Sequence, residues 1–181
     1  MNHDGPENAN RSGRLVGVIR RIGEAYAPQE ERRLQGHFGA LVAFGAYTAC
    51  WGAVIARRKK SLPDRYEPWD VALTAAAVFR LSRLLSKGSV TSPLRAPFTR
   101  YEEATGPAEV SESPRGGHIR SAVGELITCP FCLSVWLTAT LAGARMVWPR
   151  ATHTLTGALT ALAISDTLQL GYDYLLQKNV Q

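Results

Sequence analysis

Only three cysteines occur in the chain, and one of them, Cys50, stands alone inside an apolar run. No second thiol pair is therefore available to exchange electrons with Cys129 and Cys132. A Ser-His-Asp array, a phosphate-binding glycine loop and a paired-histidine metal motif are all missing. So is a basic face interleaved with aromatics, and the net charge of +6 does not by itself point to nucleic acid. Charge disappears altogether between His37 and Ala56, where no Asp, Glu, Lys or Arg is found. A helix rising ~1.5 Å per residue covers the ~30 Å hydrocarbon core over such a length. No small-residue cleavage site comes after this run; Arg57-Arg58-Lys59-Lys60 stands there instead. That favours a retained anchor over a signal peptide.

What is present fits one domain or a small bundle of helices within 181 residues. Mean hydropathy is −0.10, a near-neutral average produced by polar ends and a polar middle diluting strongly apolar windows. The 37–56 window holds Phe38, Leu41, Val42, Phe44, Tyr47, Trp51, Val54 and Ile55, and a transmembrane helix describes it better than a buried helix of a soluble domain. Residues 1–13 read as a disordered polar tail. Within 14–36, Leu15, Val18, Ile19, Ile22 and Tyr26 fall at helical spacing among arginines, which predicts a basic amphipathic helix on a membrane surface. Pro28 with Glu30 and Glu31 marks a helix start that can run directly into the first span.

A second apolar helix is expected from about Trp69 to Leu85, interrupted by Asp70, Arg80 and Arg83. It reads either as a span whose arginines meet acids elsewhere, or as an interfacial helix with snorkelling arginines. Residues 87–121 form a long connector rich in Pro and Gly, in which 101–105 and 109–113 flank Gly106-Pro107 as a short β-hairpin. The third helix starts near Glu125 or Pro130 and reaches Trp148, where Pro149 stops it. The fourth covers about 151–176, with Leu155, Leu159, Leu162, Ile164, Leu168 and Leu170 on its apolar side and Asp166 well inside it. The short link between these two implies an antiparallel helical hairpin.

Two groups of residues could carry chemistry. Cys129-Pro130-Phe131-Cys132 opens the third helix, with proline suited to the first turn and Cys129 placed as the cap. A helix N-terminus stabilises a thiolate and CxxC spacing closes a disulfide within one turn, so a redox pair is one reading. Metal binding is another, with His118 and Glu125 as further ligands or with two such pairs shared between subunits, because structural zinc needs about four ligands. Packing of both thiols as small apolar side chains is the third. The other group is Arg80, Arg83, Glu125 and Asp166. Acids beside arginines from another helix would satisfy the charges and fix register, or would line a polar path. Four short helices leave little room for a path, which favours pairing.

The string Phe79-Arg80-Leu81-Ser82-Arg83-Leu84-Leu85, then Pro93-Leu94-Arg95, then Glu125-Leu126 leading into Cys129-Pro130-Phe131-Cys132-Leu133-Ser134-Val135-Trp136, resembles a bacterial family catalogued as domain of unknown function 1360. The resemblance covers about residues 69–176. It implies a small integral membrane protein of a kind sometimes labelled sporulation-related, with no established activity. The chain departs from that pattern in its N-terminal tail and the 37–56 helix. It also has Lys87-Gly88-Ser89 where an acid is expected beyond the arginines.

These readings predict an all-α, multi-pass bundle of three to four transmembrane helices in the bacterial cell membrane, with the hairpin in its connector. The expected partners are the lipid bilayer and a protein or second copy, not nucleic acid. No cofactor is expected, and the role is read as interaction or assembly rather than catalysis.

Overall fold

Six α-helices and one two-stranded antiparallel hairpin make up the described residues of this protein, a computed structural model covering 31–59, 65 and 67–180. The chain is thus mostly helical with a small β element. The expected tail over 1–13 lies outside the described residues, as does most of the amphipathic helix expected over 14–36. Two compact units divide between Ala43 and Phe44; the described part of the first is helical from Glu31.

Helix α1 covers Glu31–Arg57, α2 Pro68–Lys87, α3 the single turn Ser92–Arg95, α4 His118–Thr128, α5 Pro130–Val147 and α6 Pro149–Val180. The charge-free run is thus one continuous helix with residues before it, ending on a basic residue that suits the negative end of the dipole. Helix α2 begins with Pro68 in its first turn, where the missing N–H costs nothing, followed by Asp70. It ends where the Gly88 N–H closes back onto the Arg83 and Leu84 carbonyls. Helix α5 starts at Pro130 with Cys129 as its cap, and only Trp148, in a non-helical conformation, separates it from α6.

The connector is more ordered than its Pro and Gly content suggests. A 3-10 turn at Ser89–Thr91 leads into α3, then β1 (Thr99–Gly106) pairs with β2 (Glu109–Pro114). Both strands extend beyond the 101–105 and 109–113 segments. Helix α4 then occupies His118–Thr128, part of which the sequence pattern assigned to irregular connector. The signal was weak because Gly116-Gly117 precedes it, and a local breaker carries little information about the element after it. The hairpin folds onto the end of α2, with the Ser89 N–H donating to the Ala108 carbonyl at 2.8 Å. Gly124 of α4 lets the hairpin base approach, since a Cβ there would stand 2.9 Å from the Phe98 carbonyl oxygen.

Helices α2, α5 and α6 pack around Ala77, Val78, Leu141 and Leu159. Pairings along their length fix direction. Asp70 and Arg145 meet, so α2 and α5 are antiparallel; Leu73 meets Thr160 and Arg80 meets Asp166, so α2 and α6 are parallel. Helices α5 and α6 are therefore antiparallel. On its other side, α5 receives the second-unit part of α1. Phe44 lies edge-on to Trp136 with ring centroids 5.2 Å apart, and the Tyr47 and Thr140 hydroxyls are 2.8 Å apart.

The apolar side of α6 is mostly turned outward. Its buried positions are Thr152, Thr156, Leu159 and Ala163, while Leu155, Leu162, Ile164, Leu168 and Leu170 are exposed. Small and hydroxylic residues allow close approach of neighbouring helices, and the large aliphatic ones turn outward. In α2, Ser82 and Ser86 are buried while Val71 and Phe79 are exposed. Among the described residues, two helices are long and apolar enough to cross a membrane: Phe38–Arg57, with mean hydropathy 1.6, and Pro130–Val147, with 1.3.

Candidate functional site

Charged groups enter the bundle in pairs. Asp70 in the first turn of α2 accepts a hydrogen bond from Arg145 in the last turn of α5. Each charge also suits its own helix end, the acid at a positive end and the base at a negative one. Further along α2, Arg80 Nε lies 2.6 Å from Asp166 Oδ2, yet its N–H finds no hydrogen-bond acceptor. The contact is therefore an ion pair whose N–H is not aimed at the carboxylate. The Thr160 hydroxyl donates to the Leu73 carbonyl at 2.9 Å, tying α6 to α2.

Of the four charged residues grouped from the sequence, the structure brings Arg80 and Asp166 together and places the other two elsewhere. Arg83 donates to Glu109 at the start of β2, with its Nη2 at 2.7 and 2.8 Å from the two carboxylate oxygens and its Nε at 3.1 Å from Oε1. Glu125 accepts from the Ser121 hydroxyl within α4, at 3.2 Å. The Asp166→Leu variant leaves Arg80 without a counter-charge and is expected to lower the unfolding temperature in detergent. The Arg80→Leu/Asp166→Leu pair is expected to recover most of that loss.

The most buried pair is one that sequence reasoning missed. Arg95 and Glu112 have side chains only 3% and 4% exposed, with Arg95 Nε 2.8 Å from Glu112 Oε2. Arg95 also donates to the Leu85 and Gly88 carbonyls, at 2.7 and 2.9 Å, so it closes the end of α2. Glu112 accepts in addition from the Ser92 and Thr99 hydroxyls, both at 2.8 Å. A buried pair is favourable only when such bonds satisfy its remaining donors and acceptors. Here α2, α3 and both strands meet on one ion pair. Its partial signal was Arg95 within Pro93-Leu94-Arg95, whose partner could not be chosen from spacing alone among Glu102, Glu103, Glu109 and Glu112.

Burial pushes the Glu112 carboxyl up, but hydrogen bonds from Arg95, Thr99 and Ser92 and the Arg95 charge outweigh it and hold the group below its ordinary value of 4.5. A carboxyl depressed in the folded state stabilises the fold above the unfolded value, and this contribution is lost as pH falls through the folded one. The unfolding temperature should therefore fall as pH drops below 4.5. The gap between the native protein and Glu112→Gln should narrow over the same range, which a pH series of thermal melts would measure.

At the start of α5, the Cys132 N–H donates to Cys129 Sγ at 3.2 Å, and both thiols are free. Cys132 is exposed and Cys129 half-buried; Cys50 is also free and exposed, on α1. Among the described residues, no group of three or more His, Cys, Asp or Glu side chains gathers in a metal-binding arrangement. Cys129 and Cys132 thus offer two ligands; the His118 side chain lies outside the described residues.

Beside the thiols opens a groove of about 720 Å³ running between α2 and α5. Val78 and Leu141 form its floor, Arg145 with Asp70 one end, and Arg83 with Pro130 and Phe131 the other. Its volume falls within the ~300–1,000 Å³ range of small-ligand sites.

These features define a class: a small helical bundle with ion pairs between its helices, large apolar side chains on its outside and a β-hairpin cap locked by a buried Arg–Glu pair. The chain belongs to the family described as "Protein of unknown function (DUF1360)", whose match spans residues 73–172 and so includes the groove walls apart from Asp70 and Val71, the hairpin and both thiols. It is similar to the "Sporulation protein YjcA" of Bacillus subtilis (strain 168), at 31% identity over 102 residues, covering 55% of this chain and 86% of the relative. No solved structure matches.

Proposed function

We propose that this chain is a multi-pass protein of the bacterial cell membrane in which α1, α2, α5 and α6 span the bilayer, with a non-enzymatic role in assembling a membrane complex during sporulation. The observation that carries the membrane reading is that hydroxyl side chains share the inside of the bundle with its apolar core while large apolar side chains stand outside it. Ser82, Ser86, Thr152 and Thr156 are buried while Phe79, Val135, Leu155, Leu162 and Ile164 are exposed. Water would penalise that arrangement at about 25 cal/mol per Å² of apolar surface left exposed. Hydrocarbon imposes no such penalty, and it rewards small-residue packing and internal pairing of charge. Trp69 and Trp148, both exposed, stand at one end of the bundle, as interfacial aromatics do. The sporulation reading comes from the relative's name.

Two assays test the two parts. The chain should remain in the membrane pellet after an alkaline carbonate wash and aggregate when detergent is removed; release into the wash would end the membrane reading. Deletion in a spore-forming host should lower the yield of heat-resistant spores without affecting vegetative growth. An unchanged yield would remove the sporulation role.

A second reading rests on the Cys129–Cys132 contact. In it, the Cys129 thiolate attacks a disulfide of a partner protein and releases one partner thiol. Cys132 then attacks the mixed disulfide, leaving a Cys129–Cys132 disulfide and a partner reduced by two electrons. Alkylation that alternates with redox conditions, with function lost in Cys→Ser variants, favours this reading. Stoichiometric zinc lost on changing either cysteine favours metal-dependent assembly. Thiols unreactive under every condition favour packing.

A further inference from the structure

We infer that the groove between α2 and α5 is a binding site for one acyl chain of an anionic bilayer phospholipid, with the headgroup phosphate at the Arg145 end. The inference rests on the membrane reading above and adds an identified ligand to it.

The walls of the groove are less polar than their composition suggests. Three hydroxyls that line it are turned onto the backbone of their own helices: Ser82 to the Phe79 carbonyl at 3.0 Å, Ser134 to Phe131 at 2.7 Å and Thr138 to Ser134 at 2.8 Å. With those groups satisfied, the surface offered between the two ends is mainly methyl and methylene, with Thr74 and Thr152 as the other hydroxyl residues on its walls. At ~1.5 Å per residue, α5 from Pro130 to Arg145 gives the groove a length of about 22 Å. A long, narrow, apolar trough of this kind suits a single flexible hydrocarbon chain.

The two ends differ in charge. At the hairpin end, Arg83 is spent on both oxygens of Glu109, and the exposed Phe131 ring adds apolar surface. At the other end, Arg145 uses only one nitrogen, Nη2, on Asp70. Arg58 lies over the Trp148 ring at 5.7 Å, one helical turn beyond Arg145. Among the described residues, no salt bridge engages Arg57, Arg58, Lys59 or Arg150. An apolar trough that ends in a cluster of cations and in interfacial tryptophans matches an amphiphile with an anionic head.

The test is native mass spectrometry of the full chain in mild detergent, titrated separately with phosphatidylglycerol and phosphatidylcholine. One phosphatidylglycerol should be retained per chain, at least tenfold more tightly than phosphatidylcholine. Ala75→Phe and Ala142→Phe place rings in the groove from exposed positions on its walls, so the core beneath is undisturbed. Each should reduce retention tenfold or more while leaving the unfolding temperature in lipid-free detergent unchanged. Arg58→Gln/Arg150→Gln should abolish the preference between the two lipids but keep the chain-dependent binding. Equal retention by the groove-filled variants and the native protein would overturn the inference, as would equal binding of the two lipids by the native protein. A groove-filled variant that turns a dimer into a monomer without changing lipid retention would overturn it too, in favour of a second copy as occupant. If the chain instead washes out of membranes with carbonate, the failure lies in the membrane reading itself.

Discussion

Replacing Arg95 by methionine is expected to destabilise the protein by about 3–5 kcal/mol, the cost of leaving a buried partner charge uncompensated. Glu112 would keep its place beneath the hairpin, 4% exposed, facing only the Ser92 and Thr99 hydroxyls. The Leu85 carbonyl would lose its Arg95 donor at the same time, an unsatisfied group costing about 1–3 kcal/mol if it stays buried, whereas the Gly88 carbonyl keeps the Thr91 N–H and hydroxyl. The result should be local: hydrogen exchange at β1, β2 and the end of α2 should rise steeply, while exchange along α5 changes little. The Arg95→Met/Glu112→Leu pair should recover only part of the loss. It removes the stranded carboxylate but leaves the Leu85 carbonyl without its Arg95 donor. Full recovery would mean that the pair matters only as two charges and does not tie α2 to the hairpin.

The second large effect is expected at Gly143. A Cβ at this position would stand 2.4 Å from Trp51 Cδ2 and 2.5 Å from Cε3, inside the body of the indole ring. Because the clash involves the fused ring atoms, the whole side chain must swing or α1 must withdraw from α5. Gly143→Ala is therefore expected to cost about 1–3 kcal/mol, the usual range for overpacking. Gly143→Leu should cost more and break the Tyr47–Thr140 hydrogen bond across the same interface. Thermal unfolding in detergent measures both. The compensating pair Trp51→Ala/Gly143→Leu, which exchanges the positions of bulk and space, should be more stable than Gly143→Leu alone. If the pair is no more stable than the single variant, the close approach of α1 at Gly143 is not what limits the site.

The four long helices, α1, α2, α5 and α6, and the hairpin were legible in the sequence because each rests on local signals. A charge-free run, a proline in a first turn and a Gly-Pro between two extended segments act over a few residues. The Arg80–Asp166 approach could also be read, since a charge inside an apolar helix has few partners to choose from. Arg83 and Glu125 show where that reasoning stops. Several glutamates lay within reach of the connector, and only its fold selects Glu109 for Arg83 and leaves Glu125 with Ser121. Asp70–Arg145 was visible in principle as an acid and a base at opposite ends of two antiparallel helices. Reading it needed the direction of α2 relative to α5, which so long a connector does not give. The outward face of α6 was legible as composition; its meaning depends on the solvent around it, which periodicity does not specify.

Two-sided cysteine labelling tests the membrane reading most directly. In a background with Cys50, Cys129 and Cys132 replaced by serine, a single cysteine at Arg150 reports the tryptophan end of the bundle and one at Tyr101 reports the hairpin end. A membrane-impermeant maleimide should reach one of these positions in intact cells and the other only after the membrane is opened. Labelling of both positions from the same side would contradict a bundle that crosses the bilayer.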